Sequence, residues 1–211
     1  MSEPRIIDIS QTLRVGMPNW PGEPEFAYTR KAEISDDCPV NTGEVVMSTH
    51  AGTHADAPLH YHAEGVDSAR SDLAAYVGEC AVVDARNAID AVKIEDIDWD
   101  ELAGAKRVLF RTYDRVPRAA WDHGFSAIDH AVVDRLGQQG AVLIGTDTPS
   151  LDPMTSKTMD AHHAVRRHDM RILEGLVLDH VAEGRYELVA LPLPIEGADA
   201  SPVRAILREL A

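Results

Sequence analysis

Cysteine is almost missing from this chain. Two residues among 211, Cys38 and Cys80, are too few for a disulfide framework and do not form a Cys-x-x-Cys pair, so they read as reduced thiols. No apolar stretch approaches the roughly 18 residues of a membrane span, and the start, Met-Ser-Glu-Pro-Arg-Ile-Ile-Asp, lacks the apolar core of a signal peptide. No membrane contact is expected, and the location expected is cytoplasmic. Basic residues are also scarce. Lys and Arg number 20 against 35 Asp and Glu, a formal charge of −15, and they nowhere cluster as a polyanion would require, which argues against nucleic acid as a partner. The acidic balance serves solubility. There is no repeat, low-complexity tract or linker, and no Gly-x-Ser-x-Gly elbow for a serine nucleophile. With 45% hydrophobic and 26% charged residues, the composition is globular, and the length suits one domain, residues 1–211, with a sizeable core.

Histidine is what the chain concentrates. Four histidines and a carboxylate fall within His50-Ala-Gly-Thr-His54-Ala-Asp56-Ala-Pro-Leu-His60-Tyr-His62. Imidazole suits zinc and related transition metals, and a carboxylate among imidazoles sits on one ion or bridges two. A helix would place His50 and His54 on one face, but Gly52 and Pro58 make it costly. In an extended segment alternate side chains share a face, so the even-numbered His50, His54, Asp56, His60 and His62 would converge. Gly52 would then let the backbone come close, and Pro58 would keep the segment from being a central strand. The competing reading is a merely polar surface loop. For His62 alone, a ligand, a supporting partner and an exposed loop residue all stay open.

The rest of the pattern predicts a mixed α/β fold. Strands are expected at 5–10, 26–34, 43–48, 80–85, 107–112, 141–145 and 186–191, where β-branched and apolar residues run between turn signals. Residues 203–210 read as a strand or a short helix. Helices are expected at 72–77, capped by Ser71, and at 127–136, capped by Ser126, with Ile128, Val132, Val133 and Leu136 at helical spacing. Residues 93–103 are acidic, weakly helical at their end, with the Asp/Glu run read as a solvated face. Segments 16–24 and 146–153 carry the prolines and glycines of loops. Trp20, in the first loop, either caps the core or walls a pocket and stacks on an aromatic ligand. Glu174, among Ile172, Leu173, Leu176 and Val177, is either paired or metal-bound inside, or points outward from a helix. His162 and His163 follow a turn and offer at least one functional ring.

The run His50-x-Gly-Thr-His54-x-Asp56-x-Pro58-x-His60 resembles the signature of the metal-dependent cyclase-family hydrolases, and the whole chain resembles their bacterial kynurenine formamidase branch. The likeness runs from Ile-Asp-Ile-Ser10 through Pro18-Asn-Trp20-Pro-Gly22, Gly145-Thr-Asp-Thr-Pro-Ser-Leu-Asp-Pro153, His162-His163 and Leu173-Glu174-Gly-Leu176 to Leu191-Pro-Leu-Pro194. It implies a single mixed α+β domain of the swivelling β/β/α type and a homodimer. It also implies a pair of zinc ions, with manganese or cobalt as substitutes: His50 and His54 on one ion, His162 on the other, Asp56 and Glu174 bridging. His60 would be the general acid/base and Trp20 would line the substrate pocket. The implied reaction is hydrolysis of N-formyl-L-kynurenine to L-kynurenine and formate by metal-activated hydroxide, in tryptophan catabolism. Two rivals are a sister amidohydrolase such as isatin hydrolase and a non-catalytic zinc-binding protein.

Overall fold

Three successive residues in one strand, Val108, Leu109 and Phe110, have no exposed surface, which requires a sheet covered on both faces. The computed structural model describes residues 4–210. In chain order its strands are β1 (Ile6–Asp8), β2 (Ala27–Ala32), β3 (Thr42–Val46), β4 (His54–Asp56), β5 (Val77–Asp84), β6 (Ala91–Val92), β7 (Arg107–Arg111), β8 (Ala127–Ile128), β9 (Leu143–Thr146), β10 (Arg171–Glu174), β11 (Gly184–Val189), β12 (Ala200–Pro202) and β13 (Ile206–Glu209). Its α-helices are α1 (His130–Gln138) and α2 (Asp160–Arg167). Nine strands form one sheet in the order β1-β13-β11-β5-β7-β9-β10-β4-β12. The centre, β5-β7-β9-β10, is parallel; both flanks are antiparallel.

The two-residue period of a strand sorts side chains between two cores. Val108, Phe110, Ile144 and Ile172 pack with Val132, Val133 and Leu136 of α1 and Ala161, Ala164 and Val165 of α2. Their neighbours Leu109, Leu143 and Leu173 face the other side, with Ile7, Ile9, Leu188 and Leu207. Each of the larger side chains among them, Val, Leu, Ile or Phe, contributes about 1.5–3 kcal/mol by leaving water. Among the described residues no helix is long and apolar enough to cross a membrane.

Three local expectations are corrected. Residues 127–128 are the strand β8, and Asp129, not Ser126, caps α1 by accepting from the Ala131 N–H. Asp72, not Ser71, caps the segment at 72–77, which is a 3₁₀ turn over Leu73–Tyr76. The Asp72 carboxylate accepts the Ala74 N–H at 3.0 Å, while the Ser71 hydroxyl is engaged in donating to the Asp67 carbonyl. The acidic stretch at 93–103 holds only a 3₁₀ turn, Ile94–Asp96. The segment at 203–210 resolves as a strand, β13, because it pairs with both β1 and β11. Strands β2 and β3 form a separate exposed hairpin rather than part of the main sheet.

Candidate metal centre

The site forms where β4, β10 and α2 meet. His54 and Asp56 are two residues apart in β4 and so share a face, and Glu174 of β10 lies directly opposite His54 in the antiparallel register. Side chains so opposed sit about 5 Å apart at Cβ, which puts both carboxylates beside one imidazole. Ile172, two residues before Glu174, belongs to the helix-side core, so the group faces α2, whose buried His162 completes it from above.

Alternation along the histidine run therefore holds only for His54 and Asp56. His50 precedes β4 in a turn, and His60 ends a 3₁₀ turn over Pro58–His60; both reach the site through bends, not through an extended strand. His62 does not reach it. Its Nδ1 accepts the Glu64 N–H at 2.9 Å, and it lines a different depression with Arg166 and Arg171. His163 is exposed. β4 does lie inside the sheet, between β10 and β12, and Pro58 is tolerated because it falls beyond the last paired residue, Asp56.

The two carboxylates divide their oxygens. Asp56 Oδ1 faces His50 Nδ1 at 3.2 Å and His54 Nε2 at 3.5 Å, while Oδ2 faces His162 Nε2 at 3.4 Å. Glu174 repeats the arrangement, Oε2 lying 3.3 Å from His54 Nε2 and Oε1 3.6 Å from His162 Nε2. His54 Nε2 and both Asp56 oxygens are buried without a hydrogen-bond partner, a costly condition for polar atoms. A divalent cation satisfies it. With metal–ligand bonds of about 2.0–2.2 Å, donors on one tetrahedral ion lie roughly 3.4 Å from each other, the spacing found here.

Each ring is aimed by a partner on its other nitrogen, as metal-bound imidazoles are. Gly52 O meets His54 Nδ1 at 3.0 Å. Asp152 Oδ2 meets His162 Nδ1 at 2.6 Å, and the same carboxylate accepts the Ala161 and His162 N–H groups, so it also caps α2. Asp199 Oδ2 meets His50 Nε2 at 3.0 Å. The Leu151 N–H holds Glu174 Oε1 at 2.8 Å.

Gly52 O depends on a close backbone approach. A Cβ on Gly175 would come within 2.3 Å of that oxygen, and Gly175 has φ +63°. Gly175→Ala is expected to destabilise the fold by about 1–3 kcal/mol and, by shifting His54, to lower metal occupancy in elemental analysis. Full occupancy with an unchanged melting temperature would show that the approach is not needed.

Burial pulls the His50 and His162 imidazoles down in pKa, yet their carboxylate partners more than offset it. Asp56 and Asp199 lift His50 to about 9, and Asp152 and Asp56 lift His162 to about 10. Folded values above the ordinary 6.5 give stability that is fully present below pH 6.5 and is lost as pH rises through about 9 to 10. Chelated protein is therefore expected to melt at steadily lower temperature across that window, whereas zinc-loaded protein, whose cations replace those protons, declines less. Parallel melting curves at each pH would contradict this.

A cavity of about 270 Å³ opens over the cluster, lined by His50, His54, His60, His162 and Glu174 on one side and by Trp20 and Trp121 on the other. The two tryptophan rings meet edge-on with centroids 5.4 Å apart. Trp20 thus walls the pocket and does not cap the core. His60 also stands in this wall, its Nδ1 3.3 Å from Asp199 Oδ2.

The sequence model of the cyclase family matches residues 7–153 of this chain. The chain belongs to the cyclase family. This cyclase-family protein is 58% identical to a kynurenine formamidase of Sphingopyxis alaskensis over 207 residues, 98% of this chain and 99% of that one. It is 55% identical to a kynurenine formamidase of Maricaulis maris over 203 residues, 96% and 97% of the two. A solved structure described as a potential metal-dependent hydrolase with cyclase activity superposes with a TM-score of 0.84 at 27% identity, covering 99% of each chain.

Three participants carry no signal in the sequence of this cyclase-family protein. Asp199 stands alone between alanines and 137 positions past His62; Asp152 looks like one more residue of a turn-rich loop; Trp121 lies in an unpatterned stretch.

Proposed function

We propose that this chain is a kynurenine formamidase that hydrolyses N-formyl-L-kynurenine to L-kynurenine and formate. The observation that carries the reading is the division of Asp56 and Glu174 between two histidine groups at the floor of an aromatic-walled cavity. The full-length likeness to kynurenine formamidases points the same way. His50 and His54 would hold one divalent cation and His162 a second, with Asp56 and Glu174 within reach of both groups. Zinc is the metal of choice for this N/O set, and manganese or cobalt also suits it. When bound, such a cation lowers the pKa of a water molecule toward neutrality and polarises a carbonyl oxygen.

The chain's own residues do the rest. Trp20 and Trp121 receive the aromatic ring of the substrate and place the formamide above the cluster. Water adds to the formyl carbon as His60 takes its proton, the C–N bond breaks, and His60 hands that proton to the departing aniline nitrogen. The products are formate and the free amine. Imidazole is the side chain most often used for such a transfer. Glu23 is among the residues that line the cavity and offers a carboxylate to the substrate's α-ammonium group. Isatin carries no such group, which favours the formamidase over the isatin hydrolase reading. A storage protein has no use for a substrate-sized cavity beside its ligands.

The test is hydrolysis of N-formylkynurenine and of isatin before and after chelation, with zinc and manganese add-back. Formylkynurenine turnover is expected to vanish with the metal and return with it, and isatin to turn over far more slowly. Isatin as the better substrate, or activity untouched by chelation, would overturn the reading. The enzyme acts in the cytoplasm as a homodimer on this view, and the exposed β2–β3 hairpin, with Tyr28, Val45 and Val46 uncovered, offers the apolar surface for a second copy.

A further inference from the structure

We propose that Asp199 is the positioning residue of His60, and that it ties the proton carrier to the metal ligand His50 through a single oxygen. Asp199 Oδ2 lies 3.0 Å from His50 Nε2 and 3.3 Å from His60 Nδ1, while Oδ1 accepts the Thr49 hydroxyl at 3.0 Å. Two imidazole N–H groups thus converge on one carboxylate oxygen, with the rings 4.4 Å apart. The consequence for His60 is a fixed tautomer. With the proton of Nδ1 committed to Asp199, Nε2 is the nitrogen left to face the cavity that His60 lines. For His50 the same bond occupies the nitrogen turned away from Asp56, so its Nδ1 lone pair stays aimed at the cluster.

The mount is rigid. The Asp199 carbonyl accepts the Ala57 N–H at 2.8 Å, and the Ala198 carbonyl accepts the Ser68 N–H at 2.9 Å. The next residue, Ala200, pairs with Asp56 in β12. The carboxylate is therefore anchored to the same stretch of backbone that presents Asp56. A pair of rings needing a common reference in space has one here.

His50, His60 and Asp199 also lie close enough to share an ion. The geometry favours positioning: His50 already turns its Nδ1 to Asp56, and the other Asp199 oxygen is held by the Thr49 hydroxyl. A third cation is an outcome the test can detect.

This inference rests on the reading of His60 as proton carrier in formamide hydrolysis, and the experiment separates the two. Wild type, D199A, H60A and the double variant are loaded with zinc, and turnover is normalised to bound zinc measured by elemental analysis. Substrates are N-formylkynurenine, formanilide and 4-nitroformanilide. D199A is expected to slow N-formylkynurenine and formanilide about 10- to 100-fold, and to slow 4-nitroformanilide less, because its less basic leaving amine needs less help from an acid. The double variant is expected to match H60A within about twofold, since a residue acting through His60 has nothing left to position. Independently of activity, ¹H–¹⁵N long-range NMR of the zinc-loaded protein should report His60 as the Nδ1–H tautomer in wild type and a shift toward Nε2–H in D199A. Multiplicative losses in the double variant, equal slowing of all substrates, an unchanged His60 tautomer, or a third zinc lost with Asp199 would each overturn the proposal. No hydrolysis by wild type would instead sink the formamidase reading, while the NMR result would still decide the role of Asp199.

Discussion

Asp56→Asn is expected to strip the centre of metal while leaving the fold in place. Asp56 is fully buried, and its two oxygens face three imidazoles with no hydrogen bond of their own. Asparagine has nearly the same shape, so the backbone pairing of β4 with β10 and β12 survives. What goes is the negative charge and one of the two oxygen donors. Loss of a mere supporting partner costs 10- to 100-fold in metal affinity, so loss of a carboxylate placed to serve both ions should cost at least about 10²-fold. Elemental analysis after dialysis against metal-free buffer should find little metal, and turnover should fall with it. Burial raises the carboxyl pKa of Asp56, but the facing imidazoles of His162 and His50, with the charge of His60 and His54 behind them, outweigh burial and hold it well below the usual range. The same exchange therefore lowers the proton affinity of both rings in chelated protein and flattens the pH dependence of its melting. Undiminished metal content in the variant would show that the bridging geometry is not what retains the ions.

His60→Ala should separate chemistry from binding. The expected loss of turnover is about 10²- to 10⁴-fold, the range for removing a positioned acid/base, with little change in metal content. His60 shares the cavity wall with the cluster, and its ring centroid lies 5.8 Å from that of His162. A nitrogen of His60 is also near enough to Asp56 and His162 to be weighed as a ligand, which gives the experiment its force. If His60 is a ligand, metal and turnover fall together. If it carries the proton, metal stays while kcat drops and KM moves little. Near-normal turnover at full metal content would remove His60 from the mechanism.

How much of this was legible beforehand follows from which interactions are local. The strand runs at 80–85, 107–112 and 141–145 appear as β5, β7 and β9 within a residue or three of their expected ends, because β-branched and apolar clusters declare themselves within a few positions. Helix starts were less legible. Ser126 and Ser71 are good caps in isolation, but the pairing of Ala127 and Ile128 with β6 pushes the start of α1 past Ser126, and no short window contains that partner. For the histidine run, the donors His50, His54, Asp56 and His60 are written in order along the chain, but β4 carries only His54 and Asp56, and turns deliver the other two.

Sequence alone determined the inventory: a dense set of imidazole and carboxylate donors, a glycine and a proline that forbid a helix through them, and the absence of the cysteines, basic clusters and apolar spans that other functions need. Tertiary structure decided the grouping. Glu174 becomes a partner of His54 only because β10 lies antiparallel to β4 in one register, a shift of one residue turning it to the opposite core. Asp199 becomes a hub only because β12 closes the sheet beside Asp56. The physical reason is that side-chain chemistry is a property of a residue, whereas convergence on an ion is set by strand register and chain crossings, which are fixed by cooperative burial of the whole core.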